Sequence, residues 1–397
     1  ADAAINPNFT QEEFDKEKEK TLENIKSEEK NVKTAANRVK YLLAYGKNHP
    51  YGEYASKETV SNVTLADVTK FYQNYFVPDN AYLVIIGDVD FKDVKKEVKK
   101  NFSNWRKGLA PVVSIPNPKN VQYTQINFVD MPDAVQSEIS VVNTVDFKMT
   151  NDDYHAALIA NKIYGGGFNS MLNLNLREAN GWTYGARSSM SADRNSQALF
   201  SASTSVRNAV TDSAVVETLK EMNNIRTKDV TVEQLKNVKA KYLGNFVKAV
   251  ERPSTVANYA LNILQNNLPT DYYENYLANI NAVTLDDVQN AAIKYFRGDK
   301  ARIVITGKGI DVLKNLEKTD YKINYFDKEG NPTEKPEMTL PIPAGVTASS
   351  VVDKYFEAIG GKSKVAAVKS VMMLSTGKVQ GIDLTLSQKN AAPNKTT

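Results

Sequence analysis

Apolar positions along this chain fall into two periods. Spacings of three and four give helices over residues 10–28, with Phe14, Leu22 and Ile25 as sparse apolar contacts, and over 31–45 and 91–105. The same period returns over 208–226, 232–249 and 253–266. Shorter runs rich in Val and Ile, at 121–130 and 138–145, predict strands. A further helix ends at Ile163, where Gly165, Gly166 and Gly167 must stop it. Asn169 or Ser170 is placed to cap a short helix carrying Leu172, Leu176 and Ala179. Asn180-Gly181 stops that helix, and residues 183–190 follow as a strand. Arg177 then lies in the last helical turn and Tyr184 just past the reversal, so the two side chains turn back toward each other.

One segment occurs twice. Residues 63–87 align without a gap on 283–307, an offset of 283 − 63 = 220, with 12 identities in 25 positions. Each copy predicts a helix capped by Thr64 or Thr284, a turn, and a buried strand ending in glycine. The repeat implies two homologous domains in an α+β fold, each a mostly antiparallel sheet with helices on one face. The second copy is preceded by the strands at 121–145. The first has no such strands ahead of it, so the first domain is expected to lack about its first hundred residues. The resulting division is 1–106 for the end of the first domain, 107–120 for a Pro-containing linker and 121–310 for the second domain. Residues 311–349 read as a further linker with Pro332, Pro336, Pro341 and Pro343, and 350–397 as the start of a third, truncated unit.

Composition narrows the function. A net charge of +4 on 397 residues, evenly spread, gives no case for nucleic acid. No apolar run has membrane-spanning length. Without cysteine there is neither disulfide nor thiolate metal site, and the two histidines, His49 and His155, stand 106 positions apart and read as structural. No phosphate-cradling loop is present, since Gly165 to Gly167 lack the Lys-Ser/Thr that one requires.

Gly165-Gly166-Gly167-Phe168-Asn169-Ser170, Leu176-Arg177-Glu178 and Gly181-Trp182-Thr183-Tyr184 together resemble the pitrilysin/insulinase family, zinc peptidases with an inverted HxxEH motif. Phe14-Asp15-Lys16-Glu17, the turn at His49 and Asp130-Met131-Pro132-Asp133-Ala134-Val135-Gln136 extend the resemblance over about residues 8–310. It implies that Arg177 and Tyr184 contact substrate and stabilise the tetrahedral intermediate. The Gly165–Gly167 turn, Asn169 and Ser170 would line the peptide, which can add as a β-strand between two clamshell halves. Catalytic zinc needs three protein ligands and an open position. HxxEH is absent from this chain, and Asn24 stands where the family's distal Glu ligand falls. A neutral amide is a weak zinc donor.

The resemblance thus implies a non-zinc, Arg/Tyr-bearing subunit, inactive alone. Its partners would be a zinc-bearing homologous subunit and an unfolded peptide, with zinc either in that subunit or in a missing N-terminal segment. The alternatives are a parent protein that is itself a zinc peptidase with HxxEH upstream, and a catalytically silent scaffold. Glu357-Ala358-Ile359-Gly360-Gly361-Lys362 resembles the opening of an outer-membrane lipoprotein-carrier domain, which points to the periplasm or envelope of a Gram-negative bacterium.

Overall fold

The computed structural model describes residues 1–227, 230–338, 342–379 and 382–397. These divide into two compact units, Ala1–Pro336 and Glu337–Thr397. The first opens with helices α1 (Asp2–Ile5), α2 (Gln11–Ser27), α3 (Val32–Tyr45), α4 (Lys57–Asn62), α5 (Leu65–Tyr75) and α6 (Phe91–Phe102). Strands β1 (Gln125–Asp130) and β2 (Gln136–Val145) lead to α7 (Tyr154–Tyr164), the one-turn α8 (Met171–Asn173) and a π-helical turn at Leu174–Ala179. After β3 (Ala186–Met190) and β4 (Ala198–Arg207) come α9 (Thr211–Thr227), α10 (Val232–Val250), α11 (Pro253–Asn266), α12 (Tyr276–Ala282) and α13 (Leu285–Tyr295). The unit closes with β5 (Arg302–Gly307), α14 (Gly309–Leu316), β6 (Ile323–Phe326) and β7 (Pro332–Thr333). Part of the stretch expected as a linker after residue 310 is therefore built into the sheet.

All seven strands form one sheet, ordered β3-β4-β2-β5-β1-β6-β7. Its pairings are antiparallel except β1 with β5 and β1 with β6. Alternation along the strands gives the sheet two unlike faces. Ile126, Phe128, Ile139, Val141, Phe200, Ile303 and Ile305 are buried and lie on one of them by register. That side is covered by helices of the second repeat, where Phe200 stacks on Phe296 and Tyr164 packs tilted against both, with centroids 4.5–6.1 Å apart. The opposite face is rich in serine, with Ser140 Oγ 2.9 Å from Ser203 Oγ and Ser203 Oγ 2.9 Å from Ser201 Oγ. Helix α3 packs on its middle. There α3, from the first repeat, sets Val39 against Val129, Val142 and Val304. Because α3 crosses onto this sheet, residues 1–106 pack into the same unit as the second repeat.

The repeat reaches further back than the aligned segment. At an offset of 221, α2 corresponds to α10 and α3 to α11; at 220, α4 corresponds to α12 and α5 to α13. Both α5 and α13 start in capping boxes, Thr64 with Asp67 and Thr284 with Asp287. One contact is duplicated almost to the atom. Lys18 Nζ donates to the carbonyls of Ser61 and Val63 at 2.6 and 2.8 Å. Lys239 Nζ donates to those of Asn281 and Val283 at 2.7 and 2.5 Å.

The strand halves of the repeat differ. Residues 302–307 form β5, central in the sheet, parallel to β1 and antiparallel to β2. Residues 82–87, expected as the equivalent buried strand, form none, and Tyr82, Leu83, Val84, Ile85 and Ile86 are exposed. A strand persists only where neighbours take up its backbone donors and acceptors. Among the described residues, none pairs with 82–87.

The second unit has α15 (Ala348–Ala358), α16 (Lys362–Ala367) and an antiparallel sheet of β8 (Ser370–Val379), β9 (Ile382–Ala391) and β10 (Lys395–Thr396).

Truncating the α3 anchor, Val39→Ala, removes two buried methyls from the sheet contact and is expected to cost about 2 kcal/mol. The measurement is the chemical-denaturation midpoint, with Tyr41→Ala on the exposed side of the same helix as the near-neutral control.

Candidate functional site

The three-glycine turn is the frame of the site. Gly165 donates its N–H to Asn161 O, ending α7, and accepts from Ser188 N at 3.0 Å. A Cβ on Gly165 would lie 2.5 Å from both Ser188 N and Ser188 Oγ. The glycine is therefore demanded by close approach to β3, in keeping with the freedom of an unsubstituted backbone. Gly166 is nearly as tight against Asn161 O at 3.0 Å, whereas Gly167 meets Lys162 at ordinary contact distance, its side chain at 3.6 Å and its carbonyl at 3.7 Å.

Asn173 completes this frame. Its amide donates to Phe168 O at 2.7 Å, while its Oδ1 accepts from Ala186 N at 3.1 Å and Arg187 Nη1 at 2.6 Å. The outward-facing donors of β3 at Ala186 and Ser188 are thus both occupied. The edge strand of the sheet is closed there, so a peptide cannot add to β3 at these positions. Neither Asn173 nor Asn175 was singled out from sequence, although Asn alternates with Leu across residues 172–176 where an amphipathic helix would vary more.

Ser170 precedes α8 but makes no side-chain cap bond, and its hydroxyl is buried without a partner. Asn169 is exposed. The expected capping role therefore fails for both. The reason is geometric: residues 171–179 wind as one α-turn and a π-turn rather than a regular helix. That π-turn is pinned from outside, with Asn175 donating to Glu217 and Glu221 of α9 at 2.7 Å each. Asn180 in turn donates to Asn175 Oδ1 at 2.9 Å. Such π-turns often mark functional sites.

Arg177 is carried on this turn, and its guanidinium stacks over the Phe168 ring at 4.7 Å. The structure places Nη1 3.0 Å from Glu178 Oε1, with the arginine side chain 34% exposed. The contact has ion-pair distance without hydrogen-bond alignment, for Nη1 has no directed acceptor. Nη1 itself is buried while the rest of the side chain is partly exposed, so the pair is partly screened and contributes little. Gly181 at φ +62° makes the left-handed reversal. Tyr184 follows it two residues before β3, 94% exposed. No hydrogen bond links Arg177 to Tyr184, so the reversal is as expected but the polar ends are not joined.

The residues around the expected distal ligand do not fit zinc. Asn24 lines a pocket with Arg38, Tyr41, Tyr51 and Tyr54 that holds two carboxylates, Glu28 and Glu53, and no histidine. His49 is spent in its turn: Nδ1 accepts from Tyr51 N at 3.0 Å and Nε2 lies 2.9 Å from Ser196 Oγ. His155 sits among Tyr154, Tyr272 and Tyr276 with Nε2 unpartnered. Among the described residues, no group of three or more His, Asp or Glu side chains could hold a metal ion.

With this geometry in hand, comparison with known proteins gives the class. Residues 62–242 match the model of the Peptidase M16 inactive domain. These residues are of the M16 peptidase family, and the resemblance read from the motifs holds. The chain is similar to the probable inactive metalloprotease YmfF of Bacillus subtilis, 24% identical over 252 residues, covering 62% of this chain and 57% of the relative. It is likewise similar to the zinc protease PqqE of Helicobacter pylori, 24% identical over 265 residues, 64% of this chain and 58% of that one. The chain thus spans little more than half the length of these curated relatives. Among solved structures, the peptidase M16 inactive domain from Pseudomonas fluorescens shares the fold at a TM-score of 0.70 and 20% identity. It covers 77% of this chain and 72% of that structure. No described helix is long and apolar enough to cross a membrane.

Two outcomes follow. Gly165→Ala must displace β3 and is expected to cost about 2–3 kcal/mol, while Gly167→Ala stays within about 0.5 kcal/mol, both read from urea unfolding. Burial holds the pKa of His155 and of His49 below the usual histidine value. Below that value the unfolded chain binds protons that the folded chain refuses, so stability falls as pH drops through about 6.5 and below. In His155→Phe this acid-side slope is expected to flatten in a pH series of unfolding midpoints.

Proposed function

We propose that this chain is the non-zinc, substrate-contacting half of an M16-type peptidase, in which Arg177 and Tyr184 complete the active site of a zinc-bearing homologous partner acting on unfolded peptides. The observation that carries the reading is Tyr184. A phenol 94% exposed and without a hydrogen bond contributes almost nothing to folding, yet it follows a reversal locked by Asn173, Asn175 and Gly181. Arg177, stacked on Phe168 and only loosely paired, supplies a guanidinium that a substrate carbonyl or carboxylate can claim from Glu178. Donors fixed on rigid turns act most strongly where negative charge develops, on the oxygen of a tetrahedral intermediate. Zinc bound by the partner would acidify the attacking water. This chain's part is to orient the scissile carbonyl and share its developing charge. Since β3 is closed at Ala186 and Ser188, the peptide backbone would pair with a strand of the partner. Periplasmic residence remains part of this proposal, motivated by the carrier-like C-terminal motif.

The test uses the reconstituted pair. Tyr184→Phe is expected to lower kcat about 10²–10³-fold with KM and unfolding midpoint nearly unchanged. Arg177→Ala should weaken peptide binding as well as turnover. Unaltered kinetics in both variants would leave a scaffold, and zinc-dependent cleavage by this chain without a partner would place the whole activity in one protein.

A further inference from the structure

A cavity of about 340 Å³ opens behind the glycine turn, between the end of α7 and one face of α10. Its polar lining is Lys162, Asn169, Gln234, Asn237 and Lys241, and no carboxylate lines it. Positions 234, 237, 238 and 241 share one helix face at spacings of three, four and seven. The inward side of α10 carries buried Leu235 and Val238, and of the cavity positions Val238 is buried, Gln234 partly buried, and Asn237 and Lys241 exposed.

The internal repeat shows what has changed. At the offset of 221, this face corresponds to Glu13, Lys16, Glu17 and Lys20 of α2. There each lysine faces a carboxylate three residues earlier, Lys16 with Glu13 at 3.7 Å and Lys20 with Glu17 at 3.6 Å. In α10 the lysine is retained as Lys241, but its partner position is Val238 and the other glutamate is Gln234. Among the described residues, no carboxylate pairs with Lys241 or Lys162. Gln234 Oε1 already accepts from Thr231 N and Oγ1 at 2.9 and 3.2 Å, which leaves its amide donors. Lys162 Nζ gives one of its three donors to Gly166 O at 2.7 Å and keeps two. The cavity is thus rich in N–H donors and carries two ammonium groups without a carboxylate partner among the described residues, and the side-chain acceptors left free in its lining are the neutral amide oxygens of Asn169 and Asn237.

We infer that this cavity is an oxyanion site, sized for phosphate or for the terminal carboxylate of a peptide. Charge-assisted bonds from Lys162 and Lys241 would hold the anion, with the amides orienting it. Through Lys162 the anion would bear on Gly166 and so on the turn that frames Arg177. The site does not depend on the role given to Arg177 and Tyr184, and Arg177→Ala should leave it intact.

The experiment is calorimetric titration of the whole chain with inorganic phosphate at low salt. Saturable one-site binding is expected, weakened about tenfold or more in Lys241→Gln and lost in Asn237→Glu, which returns a carboxylate to an exposed position of the face. Displacement of phosphate by a free-acid peptide but not by its C-terminal amide would assign the site to a peptide carboxylate. Phosphate binding without that displacement would assign it to free phosphate. Absence of saturable binding, or equal binding in both variants, overturns the inference.

Discussion

A β-strand is only as stable as the backbone partners on its two sides. That constraint governs the first unit, because it separates two repeat-related stretches of chain. Residues 302–307 have β1 and β2 as neighbours and become the buried centre of a seven-stranded sheet. Residues 82–87 have a related apolar pattern and the same capped helix before them, yet stay exposed. The first stretch is the more apolar, with Tyr82 and Ile86 where the second has Arg302 and Thr306; what tells against it is the supply of hydrogen-bond partners. Everything that the second repeat positions, from the α7 turn to β3, is anchored on the sheet that this supply makes possible.

The helices were legible in the sequence because their signals are local. Thr64 and Thr284 each meet an Asp three positions on, and the bounds of α10 and α11 emerge within two residues of expectation. The antiparallel sheet with helices behind it was legible too, from its alternation and from the family resemblance. What was not legible depended on partners distant in the chain. The strand at 82–87 failed for want of neighbours, β6 was read as linker because four residues carry little period, and α3 crossing onto the serine face left no mark in its own sequence.

The site divides along the same line. The glycine turn, the left-handed Gly181 and the reversal between Arg177 and Tyr184 follow from residue types that tolerate few other conformations. The π-turn does not, since it is held by Asn175 reaching Glu217 and Glu221 more than forty residues away. Nor did spacing reveal that Gly165 and Asn173 would seal the edge of β3. Three glycines beside a strand look like an invitation to a peptide. Here their carbonyl is what the strand pairs with, and recognition is left to the side chains that stand beyond it.

The twin lysine clamps bear on how this chain can change. The offset between the copies passes from 221 to 220 somewhere between α3 and α4, so one connecting loop is a residue longer than its sibling. In each copy a lysine of the first helix grips the carbonyls just before the last helix, on the far side of that loop. The clamp therefore sets the separation of the helices independently of the length of chain joining them. Sequence length there is decoupled from spatial position, and the loop between α3 and α4 is a place where residues can be gained or lost while the helices keep their stations.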